Sequence, residues 1–273
     1  MTRRSSLILI ALILINCTGT PSQSFSVIRQ MEIPLPEASG ITFDQRRGTF
    51  FIITDRGEIA EVDRDGKILR RKNIEDADFE GITIDPQTEL LYAVIEGRDR
   101  IVEIDAADFT IQREFATNRK LEGERILKGG KEGFEGIAFV PNSAHLEGGT
   151  FWVVNQATGN TGKQEPSAIL ELELPLRSEA SRKNKTLKGR MIGGYVPGIP
   201  GLSDIHFDQN TGHLLIISDT DNMFLETTID GDIVKKKTLP GKHQEGITMG
   251  ENGSIFIVQD EPDRATLVEL VLE

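Results

Sequence analysis

The chain has 273 residues, 31 basic and 43 acidic side chains, a formal charge of −12, 38% hydrophobic and 27% charged residues. That excess of carboxylates repels polyphosphate and argues against a nucleic-acid partner, while the apolar content suffices for a core and excludes a disordered chain. One cysteine, Cys17, excludes an internal disulfide framework and a Cys-rich zinc site.

The N-terminal segment pairs Arg3 and Arg4 with an unbroken apolar run from Leu7 to Ile15. The run is too short to span a bilayer as a helix, which takes roughly 20 residues, and has the length of a signal-peptide core. Residues 1–17 are therefore expected to direct export. Leu14-Ile15-Asn16-Cys17 resembles a bacterial lipobox, which would make Cys17 a lipidation site and leave residues 18–24 (TGTPSQS) as a polar tether. Asn16 departs from the usual small residue there. Cleavage near Thr18 to Thr20 would instead release a soluble periplasmic or secreted protein. The expected location is the cell envelope, with a lipid anchor as the membrane attachment.

Residues 25–273 are expected to form one domain. Phe25 to Ile33 (FSVIRQMEI) reads as a strand with no local partner. After it, one phrase recurs five times: ASGITFD from Ala38, FEGITID from Phe79, FEGIAFV from Phe134, LSDIHFD from Leu202 and QEGITMG from Gln244. Each copy is followed by a turn, a β-rich apolar run such as TFFIITD or TFWVVNQ, and an alternating segment such as GEIAEVD or TLVELVL. Period-two alternation, β-branched enrichment and the lack of a sustained helical period predict an all-β chain. The first copy gives four strands, with the turn Asp63-Arg64-Asp65-Gly66 between the last two, and Asp230-Gly231 sits at the same place in the fourth. Four antiparallel strands per repeat describe a propeller blade. Five blades are expected, with a degenerate sixth between Ser167 and Pro200 as the alternative. The fifth copy ends after three strands, so Phe25 to Ile33 is expected to supply the fourth and close the ring. The longer intervals after the second and third copies carry insertions, and the polar stretch Arg177 to Lys188 is expected to be a loop.

These repeats, together with phrases such as ASGITFDQRRGTFFIITDRGEIAEVDRDGKILR, resemble the SdiA-regulated family of bacterial envelope proteins from about Ser24 to Glu273. They are more faintly similar to phytase-like and NHL-type propellers. The resemblance implies a five-bladed propeller, commonly exported, with a central calcium ion. Ser39 and Ser203 stand where three copies have Glu, and Asp204 replaces Gly, which weakens any carry-over that requires an acid in every blade.

Innermost strands face the axis of a propeller, so equivalent positions form a ring, and that ring holds Ser39, Glu80, Glu135, Ser203 and Glu245. Glu80, Glu135 and Glu245 are candidate metal ligands, because converging carboxylates repel unless a cation bridges them and Ca²⁺ accepts hard oxygens in loose geometry. The competing reading has each Glu tie its blade to the next. A second ring at the following strand ends, Asp55, Glu96, Asn155, Asp219 and Asp260, supplies further candidate ligands at the same mouth, or else ordinary turn chemistry. His206 and His243 flank the motifs and could approach the mouth, while Trp152 reads as packing. No nucleophile elbow, P-loop, dinucleotide fingerprint or H-E-x-x-H is present. The expected function is a monomeric, calcium-binding envelope module for an unidentified ligand or protein, without a catalytic residue. Its rival is a calcium-dependent hydrolase of the phytase or lactonase kind, with Arg56, Arg98 and Arg100 as cations near strand ends.

Overall fold

The structure is a computed structural model that describes residues 25–74, 77–95, 97, 100–117, 120–121, 123–125, 133–155, 167–177 and 186–273. The expected signal segment, Cys17, the tether and Glu96 lie outside the described residues. Strand β1 (Phe25–Ile33) precedes the first blade, which is built from β2 (Ala38–Asp44), β3 (Thr49–Thr54), β4 (Glu58–Val62) and β5 (Ile68–Asn73) in that order. The second blade is β6 (Phe79–Ile84), β7 (Leu90–Ile95), β8 (Arg100–Asp105) and β9 (Ile111–Ala116). A small ribbon of β10 (Lys120–Leu121) and β11 (Glu124–Arg125) follows. The third blade is β12 (Phe134–Pro141), β13 (Gly149–Asn155), β14 (Ile169–Glu173) and β16 (Arg190–Tyr195), with β15 (Thr186–Lys188) in the connection. Strands β17 (Leu202–Asp208), β18 (His213–Ser218), β19 (Met223–Thr227) and β20 (Ile233–Thr238) form the fourth. The fifth is β21 (Gln244–Met249), β22 (Ile255–Glu261) and β23 (Arg264–Leu272), completed by β1.

The described residues are thus all-β, a five-bladed propeller, and those between Ser167 and Pro200 belong to the third blade and to the connection that adds β15 to the second. Ring closure follows the expected route, with β1 antiparallel to β23 from Phe25 opposite Leu272 to Ile33 opposite Ala265. One expectation needs correcting. The end of the polar stretch Arg177 to Lys188 is a strand, since Thr186–Lys188 pairs in parallel with β9 as a fifth strand on the second blade. A pairing with a different blade leaves no local sequence signal.

Strands β2 and β3 are buried along their whole length because both faces of a blade meet a neighbour. Phe50 and Ile52 pack toward the fifth blade, while Phe51 and Ile53 pack toward the second. Five apolar clusters result, one per blade junction, and Trp152 sits in the junction between the third and fourth blades as expected. The outer strands β5 (ILRRKN) and β20 (IVKKKT) are largely exposed and basic, which discourages edge-to-edge pairing.

Candidate functional site: an acidic mouth

The recurring phrase is a repeated β-bulge. In all five inner strands the register with the next strand slips within the motif, between Ala38 and Gly40, Phe79 and Ile82, Phe134 and Ile137, Leu202 and Asp204, and Gln244 and Gly246. A bulge leaves one residue without a ladder partner and turns its side chain out of the regular pleat. Glycine follows because neighbouring inner strands nearly touch: a Cβ on Gly81 would stand 2.4 Å from the Glu135 carbonyl oxygen, and one on Gly40 would stand 3.0 Å from the Gly81 Cα.

Where the bulge carries serine, the side chain ties two blades. Ser39 Oγ donates to the Phe79 carbonyl at 2.5 Å, and Ser203 Oγ donates to the Gln244 carbonyl at 2.5 Å. Each acceptor is the residue just before the next blade's own Glu. Glu135 is buried, and Glu80 and Glu245 are partly buried. Glu245 has the most informative surroundings. Burial first, and then the charges of Asp219, Asp260 and Asp55, push its carboxyl up to about 7. That field brings three members of the second ring to one mouth together with Glu245.

The second-ring residues repeat a backbone device. The N–H groups of Asp55, Asp219 and Asp260 donate to the carbonyls of Glu37, Gly201 and His243, the residues that lead into β2, β17 and β21. All three lead-in residues adopt positive φ, 57° at Glu37, 59° at Gly201 and 55° at His243. Two of them are not glycine, a conformation that occurs mainly where the surroundings impose it. Side chains extend the device across blades: Asp219 Oδ1 accepts the Gln244 N–H at 3.2 Å and Asp260 Oδ1 accepts the Glu37 N–H at 2.8 Å. Asn155 differs, because its Oδ1 accepts the Ala168 N–H at 2.7 Å within its own blade.

Asp55 carries the sharpest conflict. Burial, a hydrogen bond shared with Glu37 and the charge of Asp78 push its carboxyl up to about 7, against the pull of Arg56. Arg56, ion-paired with Glu37, holds that second carboxyl below its ordinary value. Asp260 is raised too, mainly by burial, with the Glu37 N–H and His243 acting in the opposite direction. Glu37 is the member of this mouth that the sequence pattern missed, because its counterparts Gly201 and His243 share its backbone geometry and not its chemistry. Of the two motif histidines, His243 belongs to this mouth and His206 lies toward the other end of the channel.

Hard oxygen donors therefore surround the mouth, the right chemistry for Ca²⁺. Among the described residues, no group of three or more His, Cys, Asp or Glu stands in an arrangement that could hold a metal ion. The Asp63 to Gly66 string is a hairpin turn, with Asp63 Oδ1 accepting the Asp65 and Lys67 N–H groups.

The sequence model described as SdiA-regulated matches residues 26–265, nearly the whole propeller. The chain belongs to the SdiA-regulated family. Its backbone is similar to that of the glutaminyl cyclase of Myxococcus xanthus, with a TM-score of 0.60 and 14% identity over 92% of this chain and 98% of that one. The Cps50 (Swd1) β-propeller domain of Myceliophteria thermophila also matches, with a TM-score of 0.49 and 9% identity over 90% of this chain and 100% of that domain. At such identities the likeness to the cyclase is one of fold, so the SdiA-regulated propeller takes its chemistry from its own side chains.

Proposed function

We propose that this SdiA-regulated propeller is an envelope binding module, exported and lipid-anchored through Cys17, whose acidic mouth takes up Ca²⁺. The observation that carries the reading is the convergence of Asp55, Asp219 and Asp260 on Glu245, with two of the four carboxyls pushed up to about 7. A divalent cation between them would offset the burial and the neighbouring negative charge that raise Glu245, and drawing the oxygens together is the movement that binding requires. Titration calorimetry with CaCl₂ on the chelator-treated protein tests this. The expected result is heat of binding and a raised melting temperature, both lost in Glu245→Gln; no heat and no shift would sink the calcium reading. Anchoring has its own test, incorporation of labelled palmitate that disappears in Cys17→Ser.

One observation favours a second reading. A carboxyl near 7 can donate or accept a proton at neutral pH, which suits general acid–base chemistry at the same mouth. A hydrolase that uses Ca²⁺ would have the ion polarise a phosphoryl or carbonyl oxygen. A proton-shuttling reaction such as glutaminyl cyclisation, the activity in the name of the Myxococcus protein, would use the carboxyls as acid and base. Screening phosphomonoesters, lactones and glutaminyl peptides with and without CaCl₂ separates these, and turnover abolished by Glu135→Gln or Glu245→Gln would favour an enzyme over a binding module.

A further inference from the structure

A cavity of about 440 Å³ opens at the other end of the channel, where the inner strands finish. Its size falls in the range of small-molecule sites, roughly 300–1,000 Å³. None of the bulge residues or second-ring acids lines it. The wall combines Phe43, Phe139, Phe207 and Met249 with His206, Thr42 and the carboxamides of Gln45 and Gln209.

The charged groups on this wall are already matched. Asp208 Oδ1 accepts the Asn210 N–H at 2.9 Å and its Oδ2 accepts the Thr211 hydroxyl at 2.7 Å. Asp44 Oδ1 accepts the Arg46 N–H at 2.9 Å, and its buried Oδ2, which accepts no hydrogen bond, is balanced by the ion pair with Arg47, 3.1 Å from Nε. Glu89 pairs with Arg46, and Glu251 pairs with Arg64 at 2.9 Å. An anion would therefore have to displace Glu89 from Arg46, and a cation would have to displace arginines or turn N–H groups from the acids.

The uncommitted groups are neutral. Among the described residues the His206 ring and the Thr42 hydroxyl have no hydrogen-bond partner, although Thr42 is only 3% exposed and both line the cavity. Burial pushes His206 down to about 4, against the pull of Asp208, so at neutral pH the ring offers one donor and one acceptor. Gln45 and Gln209 each follow the Asp that ends their inner strand, in the first and fourth blades, and both are exposed. Groups that both donate and accept, set in a wall that also holds Phe43, Phe139, Phe207 and Met249, match hydroxyls carried on an apolar ring frame.

We propose that this second mouth binds a neutral polyhydroxylated ligand of the sugar class, hydrogen-bonded by His206, Thr42, Gln45 and Gln209. The site shares no residue with the acidic mouth and stands whether or not that mouth takes up calcium.

Saturation-transfer NMR on the full chain with maltose and cellobiose, set against glucose 6-phosphate and glucosamine, tests the assignment. The neutral sugars are expected to receive saturation and the two charged ones to bind at least about tenfold more weakly, a difference of roughly 1.4 kcal/mol. The double variant Gln45→Ala/Gln209→Ala, on exposed side chains, is expected to weaken neutral-sugar binding by a similar factor while melting like the parent. His206→Ala is expected to weaken it further, and Lys236→Ala on the outer strand β20 to leave it unchanged. No saturation of either neutral sugar, tighter binding of a charged one, or undiminished binding in both the double variant and His206→Ala would overturn the proposal.

Discussion

Asp204 Oδ2 accepts the Ile247 backbone N–H at 2.8 Å, so a side chain of the fourth blade closes a hydrogen bond on the inner strand of the fifth. The same carboxyl reaches the third blade, where a Cβ on Gly136 would stand 2.5 Å from its Oδ1. Asp204 is fully buried, and burial outweighs its backbone donors, so its carboxyl lies well above the ordinary range. Burial thus favours its neutral form far more than in an ordinary aspartate, and Oδ2 accepts from Ile247 as an amide oxygen would. Asp204→Asn should therefore unfold in urea close to the parent. Asp204→Ala strands the Ile247 N–H and should lose about 1–3 kcal/mol. Equal midpoints for the two variants would show that this bond contributes nothing.

The acidic mouth predicts an unusual pH dependence. Glu245 and Asp55 both titrate at about 7 in the folded chain, against ordinary values of 4.5 and 3.8. Folding then favours the protonated forms, so their contribution is fully present below about pH 4 and drains away as pH rises to about 7. The carboxyls held low, Glu37, Glu173 and Glu226 among them, act in the opposite sense below that window, and His206, held at about 4, offsets one of the two raised carboxyls between about pH 4 and 6.5. In chelator, the melting temperature should fall between pH 5 and pH 8. The double variant Asp55→Asn/Glu245→Gln should flatten the slope, and CaCl₂ should restore stability at pH 8 far more than at pH 5. A melting temperature that rises from pH 5 to pH 8 in chelator would contradict the raised carboxyls.

Much of this architecture is legible from one phrase. The E-G and S-G dipeptides announce the bulge in four copies, Ser203-Asp204 stands in their place in the other, and the five-fold recurrence of the phrase counts the blades. The lone strand Phe25–Ile33 is readable because the fifth repeat lacks a fourth strand. Ser39 and Ser203 look like departures in the alignment of repeats, yet both make an interblade tie, since a short hydroxyl reaches the same neighbouring carbonyl position in each case. What stays hidden is geometry without a shared residue type. Glu37, Gly201 and His243 share a left-handed backbone, which the sequence writes in three different letters. The second cavity is hidden for another reason: Thr42, Thr83 and His206 come from three blades and meet only after the ring has closed.

Glycine in the bulge is a packing requirement, and substitution there can be compared with a harmless site. A Cβ on Gly81 would meet the Glu135 carbonyl oxygen at 2.4 Å and the Gly136 Cα at 2.7 Å, all backbone of the next blade. One on Gly193, in β16, meets first the end of the Glu171 side chain at 3.2 Å, which can rotate away. Gly81→Ala should destabilise by about 1–3 kcal/mol through overpacking, and Gly193→Ala should be close to neutral. Thermal melts of the two variants side by side decide the matter, and a neutral Gly81→Ala would mean that the inner strands can move apart.

Closure by β1 makes the strongest demand on stability. The strand runs the length of β23 and brings Ile33, which is fully buried between the first and fifth blades with Ala38 and Leu267. Removing residues 25–33 exposes the N–H and C=O groups of β23 as a free edge, and a free edge recruits other strands. The truncated chain is expected to associate on size-exclusion chromatography and to lose its cooperative melt. Ile33→Ala, which keeps the backbone pairing and deletes only the core contact, should remain monomeric and lose about 2–5 kcal/mol. A synthetic peptide of residues 25–33 added in trans should return the truncated chain to a monomer-sized complex by filling the vacant edge. If the truncated chain instead runs as a monomer and melts like the parent, β1 is an ornament on a ring that three strands of the fifth blade already hold closed.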